Sequence, residues 1–235
     1  MIVVTNIYSP NERTKQTVDS FQRHGYEVAV NGAPFIGNGQ VLRDMLACYK
    51  RAITGHEDFF YTDGADTFCQ RKAEPPKDYI LYSTEKACYP RPEIAKQYKP
   101  TKSKWKYLNG GGYGGPLKLI IEFFERYGLD KLPNDANGQH EQMVAYLKAE
   151  KEGFPIKLDT KCQIFQTMAF ADPIEFEVEW WAPSQLAGPS ALNKDGSVKE
   201  EVKQRKVLKN KLTKTIPAIL HFNGLTDMSI LKELK

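Results

Sequence analysis

A chain of 235 residues can bury one sizeable α/β core, and 41% apolar with 26% charged residues is a globular balance that excludes a disordered protein. No apolar run approaches the roughly 20 residues that a membrane-spanning helix needs, and the formal net charge of +4 is mild. The opening "MIVVTNIYSP" has neither a basic leader nor a long apolar segment, so the cytoplasm is the expected compartment.

In chain order, "IVVTNIY" is a β-branched run read as a strand. Ser9, Pro10 and Glu12 then supply an N-cap, a first-turn proline and a capping-box acid for a helix that Gly25 ends. "YEVAV" follows as a second strand, giving a βαβ unit with parallel strands. After the loop "NGAPFIGNG" the spacing predicts a helix over residues 40–53, closed by Gly55. "DFFYTD" and "YILYSTE" read as further strands, and "YLNGGGYGGP" as a brief strand running into glycines. "LKLIIEFFERYG" and "HEQMVAYLKAEKEG" are helical, stopped by Gly128 and Gly153, and "CQIFQTM" and "PAILHFNG" are late strands. This alternation predicts a single α/β domain over residues 1–235, an open and mostly parallel sheet flanked by helices. In such sheets ligands bind beyond the carboxyl ends of the strands.

Cys48, Cys69, Cys88 and Cys162 are widely spaced and form no CxxC pair, which argues against a zinc site and against a disulfide scaffold. Cys48 in a helical pattern and Cys162 in a strand-like one read as buried thiols. The excess of basic residues sits largely in residues 194–214, either a solvated surface or a face for a polyanion such as nucleic acid.

Four constellations could carry chemistry. Asp63 and Asp66 end the apolar strand "DFFYTD", with Gly64 and Ala65 between them. Acids so placed repel unless a cation neutralises them, and Mn²⁺ or Mg²⁺ suits carboxylates and phosphates; an Asx-type turn is the other reading. His221 ends the apolar strand "AILHFNG" and becomes a third ligand if that strand lies beside the third one; otherwise it is a packed core histidine. Asn223 and Gly224 follow it. Asn109, Gly110 and Gly111 in "YLNGGGYGG" allow close approach of a ligand, or simply make a flexible turn. Finally, His140 and Glu141 open a helix. Glu141 is a candidate base, nucleophile or electrostatic stabiliser, or only a partner for the helix dipole.

Taken in order, "YTDGADTF", "LYSTEKACYP", "YLNGGGYGG", "HEQMVAYL", "CQIFQTM" and "PAILHFNG" resemble the glycosyltransferase domain of procollagen lysyl hydroxylases and their stand-alone and viral relatives. The likeness runs over residues 2–224. It implies a glycosyltransferase-A fold, Rossmann-like, that takes a nucleotide sugar, most simply a UDP-hexose. It also implies Mn²⁺ held by Asp63, Asp66 and His221, with Asn223 and Gly224 at the diphosphate. Thr5 and Asn6 would lie near the nucleoside, and Asn109 and Gly110 would line the sugar pocket. The chain departs from the family pattern at Ala65, where an aromatic that stacks on uracil is usual. It departs again at Val41, which replaces a lysine and leaves Arg43 as the nearby base. His140 and Glu141 stand in place of a run of aspartates, and Tyr89 in place of a tryptophan.

The expected function is metal-dependent transfer of a sugar to a hydroxyl on a hydroxylated protein, a glycan or a hydroxymethylated base in viral DNA, with no membrane partner. For a viral relative the compartment would be the host cytoplasm. A silent nucleotide- or carbohydrate-binding module and a nucleotidyltransferase are the alternatives. Nothing resembles an HxD…H iron site, so hydroxylase activity is not expected of this chain.

Overall fold

A computed structural model of the protein describes residues 1–32, 35, 37–52, 55–181, 205–224 and 226–234. Six strands form the central sheet in the order β2-β1-β3-β6-β5-β7. They are β1 (Ile2–Asn6), β2 (Glu27–Asn31), β3 (Asp58–Asp63), β5 (Ile80–Glu85), β6 (Tyr107–Pro116) and β7 (Ile156–Leu158). β1 is parallel to β2 and β3, and β5 to β7, while β6 runs antiparallel to both its neighbours. With helices packed on it, this is the mostly parallel α/β sheet expected of a glycosyltransferase-A fold.

Both faces of the sheet are covered, and β3 shows how the sequence achieves this. Phe59 and Tyr61 point to one side, among residues of α2 (Asn38–Ala52), α3 (Leu117–Arg126) and α4 (Gly138–Lys151). Phe60 points to the other, where it meets Phe21 of α1 (Glu12–Gln22) together with Phe165 and Ile219. The period of two along a strand therefore gives a near-continuous apolar run, and each buried phenylalanine contributes roughly 1.5–3 kcal/mol.

A second, three-stranded sheet has the order β4-β11-β8, from β4 (Thr67–Cys69), β8 (Phe165–Thr167) and β11 (Ile219–His221). Here the structure corrects an expectation. The histidine strand does not lie beside β3; it pairs antiparallel with β4 and parallel with β8. Since β4 begins just after the acidic turn, the result for the site is the same: His221 is opposite Thr67, one residue beyond Asp66.

Other local expectations also change. Asn11, not Ser9, caps α1: its side chain accepts from the amides of Arg13 (2.9 Å) and Thr14 (3.1 Å), and Thr14, not Glu12, closes the capping box. Asparagine is as good a cap as serine and stands next to the first helical residue. The glycine run is not a loop but the body of β6, because bulky neighbours demand it. A Cβ on Gly114 would lie 2.2 Å from the Phe60 ring, and one on Gly112 would lie 3.0 Å from Phe165. Cys162 sits in a turn at φ 50° rather than in a strand, though all four cysteines are buried and none is in a disulfide.

β9 (Phe176–Trp181) and β10 (Arg205–Asn210) pair antiparallel, and this bears on the basic stretch. Residues 194–204 of that stretch, and Ile53 of the α2 expectation, lie outside the described residues. In the remainder, Lys209 stands between Glu177 (3.2 Å) and Glu179 (3.0 Å), and Lys206 lies over the Trp180 ring. The acids of β9 thus neutralise Lys209, while Lys211 and Lys214 beyond it are exposed.

Candidate active site

The carboxyl ends of β3 and β5, the amino-terminal half of β6 and the end of β11 surround one cavity of about 560 Å³. Its walls carry Asp63, Asp66, Glu85, Asn109, His221 and Asn223. Three of these converge: one donor atom each from Asp63, Asp66 and His221 lies within 4.8 Å of the others. His221 is buried (3% exposed), and its Nε2 stands 3.4 Å from a carboxylate oxygen of Asp63 and 3.4 Å from one of Asp66.

The second ring nitrogen decides what Nε2 can do. Nδ1 lies 3.1 Å from the Asn109 side-chain oxygen, which can only accept, so Nδ1 carries a proton, and in the neutral ring it is Nε2 that offers a lone pair on the side of the two carboxylates. Nε2 has no hydrogen-bond partner although it is buried. An orphaned imidazole nitrogen facing two carboxylates is a donor set that fits a divalent cation, with the amide on the far nitrogen orienting the ring. Gly111 makes room for the group: a Cβ there would sit 2.2 Å from His221 Cε1 and 2.5 Å from Asp63 Oδ2. Space, not backbone freedom, is why β6 has glycine at this position.

Charge in the cluster follows from its geometry. Burial opposes a positive His221, but Asp66 and Asp63 outweigh it and push its pKa up to about 10. Burial likewise works against charge on Asp66, and His221 overcomes it, so that carboxyl stays below its ordinary value. A proton on Nε2 and a cation between the three groups are therefore competing solutions to one electrostatic problem.

The opposite wall holds Glu85, which the sequence reading did not single out. Its Oε2 accepts from the amides of Asn109 (3.3 Å) and Asn223 (3.2 Å), and its Oε1 from Gln139 (3.3 Å). Burial still dominates and pushes its pKa up to about 7. The signal was present in the sequence: "ILYSTE" is a buried strand ending in an acid, as "DFFYTD" is.

The remaining expected positions separate into two groups. Gly111, Asn223 and Gly224 line the cavity with the triad, and Ala65 is exposed in the turn between the acids. Asn6 lies alongside Asp63 in register, and Thr5 is buried with no partner for its hydroxyl. By contrast, Gly110 donates its amide to Gln139 (2.7 Å), and it is Gln139 of the α4 entrance that reaches the cavity wall. His140 and Glu141 turn to one side, 3.4 Å from each other, with His140 also 3.2 Å from Arg91. Arg43 is engaged by the Leu132 carbonyl and the Asn134 side chain. Two exposed aromatics also line the cavity: Tyr89 (62% exposed) and Phe170 (67%), the latter at φ 58°.

Comparison with known proteins gives this arrangement a class. A family described as the PLOD GT domain matches residues 40–181. The chain is 22% identical over 187 residues to the procollagen-lysine,2-oxoglutarate 5-dioxygenase 2 of Mus musculus, covering 72% of this chain and 25% of that protein. It is 23% identical over 205 residues to the procollagen-lysine,2-oxoglutarate 5-dioxygenase 1 of Gallus gallus, covering 83% and 24%. It is also 29% identical over 93 residues to the uncharacterized protein R699 of Acanthamoeba polyphaga mimivirus, covering 40% and 19%. The chain spans about a quarter or less of the length of these relatives. It belongs to the PLOD glycosyltransferase-domain family, and its function is of the glycosyltransferase kind. No helix among the described residues is long and apolar enough to cross a membrane.

Proposed function

We propose that the protein transfers a hexose from a UDP-sugar to a hydroxyl acceptor with the help of a divalent cation, Mn²⁺ or Mg²⁺. The observation that carries this is the buried, unpartnered Nε2 of His221 facing Asp63 and Asp66. Bound there, the cation supplies Lewis-acid stabilisation to a leaving diphosphate.

The chain's own groups do the rest. Asn109 holds the His221 ring in the tautomer that offers Nε2. Gly224, at φ 74° and exposed, brings backbone close to the diphosphate without a side chain in the way. Asn223, Gln139 and Asn109 converge on Glu85, so this carboxyl is fixed in the cavity and titrates near neutral pH. It is placed to orient an acceptor hydroxyl and to take its proton as the new bond forms. Glu141 and His140 stand together beside the α4 entrance, where His140 Nε2 accepts from Arg91.

A hydroxylated protein or a glycan is the acceptor class this reading favours. The DNA alternative leaned on the basic stretch, where Lys209 is held by Glu177 and Glu179 and Lys206 lies over Trp180, while Lys211 and Lys214 are exposed. A silent binding module is the lesser reading, since a module has little need of a leaving-group cation site.

The test is a panel of nucleotide sugars incubated with the protein and Mn²⁺, scoring released nucleoside diphosphate. Slow donor hydrolysis without an acceptor, abolished by chelator, is the expected result. No release from any donor at any Mn²⁺ concentration would leave the binding-module reading in its place.

A further inference from the structure

We propose that Tyr61 is a positioning residue for the cation site: its hydroxyl locks the Asp63 carboxylate and thereby sets the affinity of the triad for the metal. The inference rests on the metal-dependent reading above and adds a residue that does not touch the cation.

Tyr61 and Asp63 are two apart on β3, so their side chains project from the same face of the sheet. The Tyr61 hydroxyl donates to Asp63 Oδ1 at 2.9 Å, which leaves Oδ2 as the oxygen 3.4 Å from His221 Nε2. The same hydroxyl accepts from Asn6 Nδ2 at 3.3 Å, and Asn6 Oδ1 accepts from Asn31 at 2.9 Å. A file of hydrogen bonds therefore crosses the ends of β2, β1 and β3 and finishes on a ligand oxygen. It mirrors the arrangement on the other side of the site, where Asn109 orients His221 and is itself held by Glu85.

Tyr61 is well placed to hold that position. It is 2% exposed, and its ring stacks on Tyr113 with centroids 4.9 Å apart. Tyr113 is in turn packed against Tyr82 and bonded through its hydroxyl to Tyr49. A buried ring held by this stack does not follow the carboxylate if it rotates, so the hydroxyl favours one orientation of Asp63. A phenylalanine would fill the core equally well; only the hydroxyl gives the ligand its direction. Partners one shell out from a metal are typically worth about 10–100-fold in metal affinity.

The experiment compares the full chain with Tyr61→Phe and Tyr49→Phe. Each loses one buried hydroxyl from the same aromatic cluster, but only Tyr61 touches a ligand. Binding of Mn²⁺ alone, and of Mn²⁺ with uridine diphosphate, is followed by loss of the free-ion electron paramagnetic resonance signal, with thermal melting alongside. We expect Tyr61→Phe to weaken Mn²⁺ binding by about tenfold or more. The Mn²⁺ concentration needed for donor hydrolysis should rise in parallel, with turnover at saturating Mn²⁺ largely kept. Tyr49→Phe should lower the melting temperature and leave Mn²⁺ binding where it was. Asn6→Ala, which frees the Tyr61 hydroxyl without disturbing the ring, serves if Tyr61→Phe does not fold, and should weaken Mn²⁺ binding in the same direction. Unchanged Mn²⁺ affinity in Tyr61→Phe, or an equal loss in Tyr49→Phe, overturns the proposal while the metal site stands. A wild-type chain that binds no Mn²⁺ under either condition overturns the metal reading and this proposal with it.

Discussion

The two walls of the cavity are encoded differently. On one wall, Asp63 and Asp66 come from a single turn, and His221 reaches them because β11 pairs directly with the strand that leaves that turn. On the other, Glu85, Gln139, Phe170 and Asn223 come from four separate places in the chain and meet only when the sheet and α4 are assembled. In the proposed function the first wall holds the charged leaving group and the second shapes what enters. A local motif is thus the better guide to the part of the reaction shared by a family, and assembled residues to the part that distinguishes one member.

The largest effects should come from the first wall. Asp63→Asn, Asp66→Asn and His221→Ala should each bring metal-dependent donor hydrolysis to background while circular dichroism shows the fold retained. Full activity in Asp66→Asn would move the metal elsewhere. Gly111→Ala should be nearly as severe without changing any ligand. Its Cβ would need the space of His221 Cε1 and Asp63 Oδ2, at 2.2 and 2.5 Å. Crowding of this kind costs about 1–3 kcal/mol, so both a lower melting temperature and weaker Mn²⁺ binding are expected. Ordinary Mn²⁺ affinity in that variant would mean that the triad is looser than its geometry.

The second wall should respond to pH. Burial raises the Glu85 pKa from 4.5 to about 7, so the folded protein holds this proton more tightly than the unfolded chain does. Stability from this group is therefore full below about pH 4.5 and falls as pH rises towards 7, by roughly 3 kcal/mol in all. Glu85→Gln keeps the shape and lacks the charge. It should melt close to wild type in acid and above it at pH 8, while acceptor-dependent turnover is lost. A melting difference that stays constant between pH 4 and 8 would show that folding does not raise the Glu85 pKa.

How much of this could be read in advance follows the same division. The βαβ start, the helices that end at Gly25, Gly128 and Gly153, and the Asp63–Asp66 pair were legible because each rests on residues close in sequence, whereas His221 joined the acids only through the family resemblance. The glycine run was read as the end of a brief strand, with a flexible turn as the alternative, since the cause of its length as a strand lies elsewhere: Phe60 beside Gly114, and His221 beside Gly111. The basic stretch left a polyanion face open beside the solvated-surface reading because the partners of Lys209, Glu177 and Glu179, are on β9, about 30 residues earlier. At the entrance to α4 the sequence pointed to His140 and Glu141, while the side chain on the cavity wall is Gln139. A helix turns about 100° per residue, so an offset of one position moves a group off the wall. No pattern of residue types fixes that phase.

Phe170 offers the smallest effect and the sharpest contrast between stability and use. It stands at φ 58° with 67% of its surface exposed, so it has a left-handed backbone without the compensation of a buried ring. For a residue with a Cβ that conformation costs about 1–2 kcal/mol. Glycine would remove the strain but add freedom to the unfolded chain, worth about 0.4–1 kcal/mol the other way. The net expectation for Phe170→Gly is a gain below about 1 kcal/mol, a rise of roughly 1–3 °C in melting temperature for a chain of this size. If the ring faces ligand, the same variant should raise the KM of donor hydrolysis severalfold and leave kcat nearly intact, since Phe170 lines the cavity but is not one of the three converging residues. A chain made more stable and a poorer enzyme by one substitution would show that the strained aromatic is kept for what the cavity holds. A fall in melting temperature with KM unchanged would show instead that the ring packs against the protein, and would take Phe170 off the second wall.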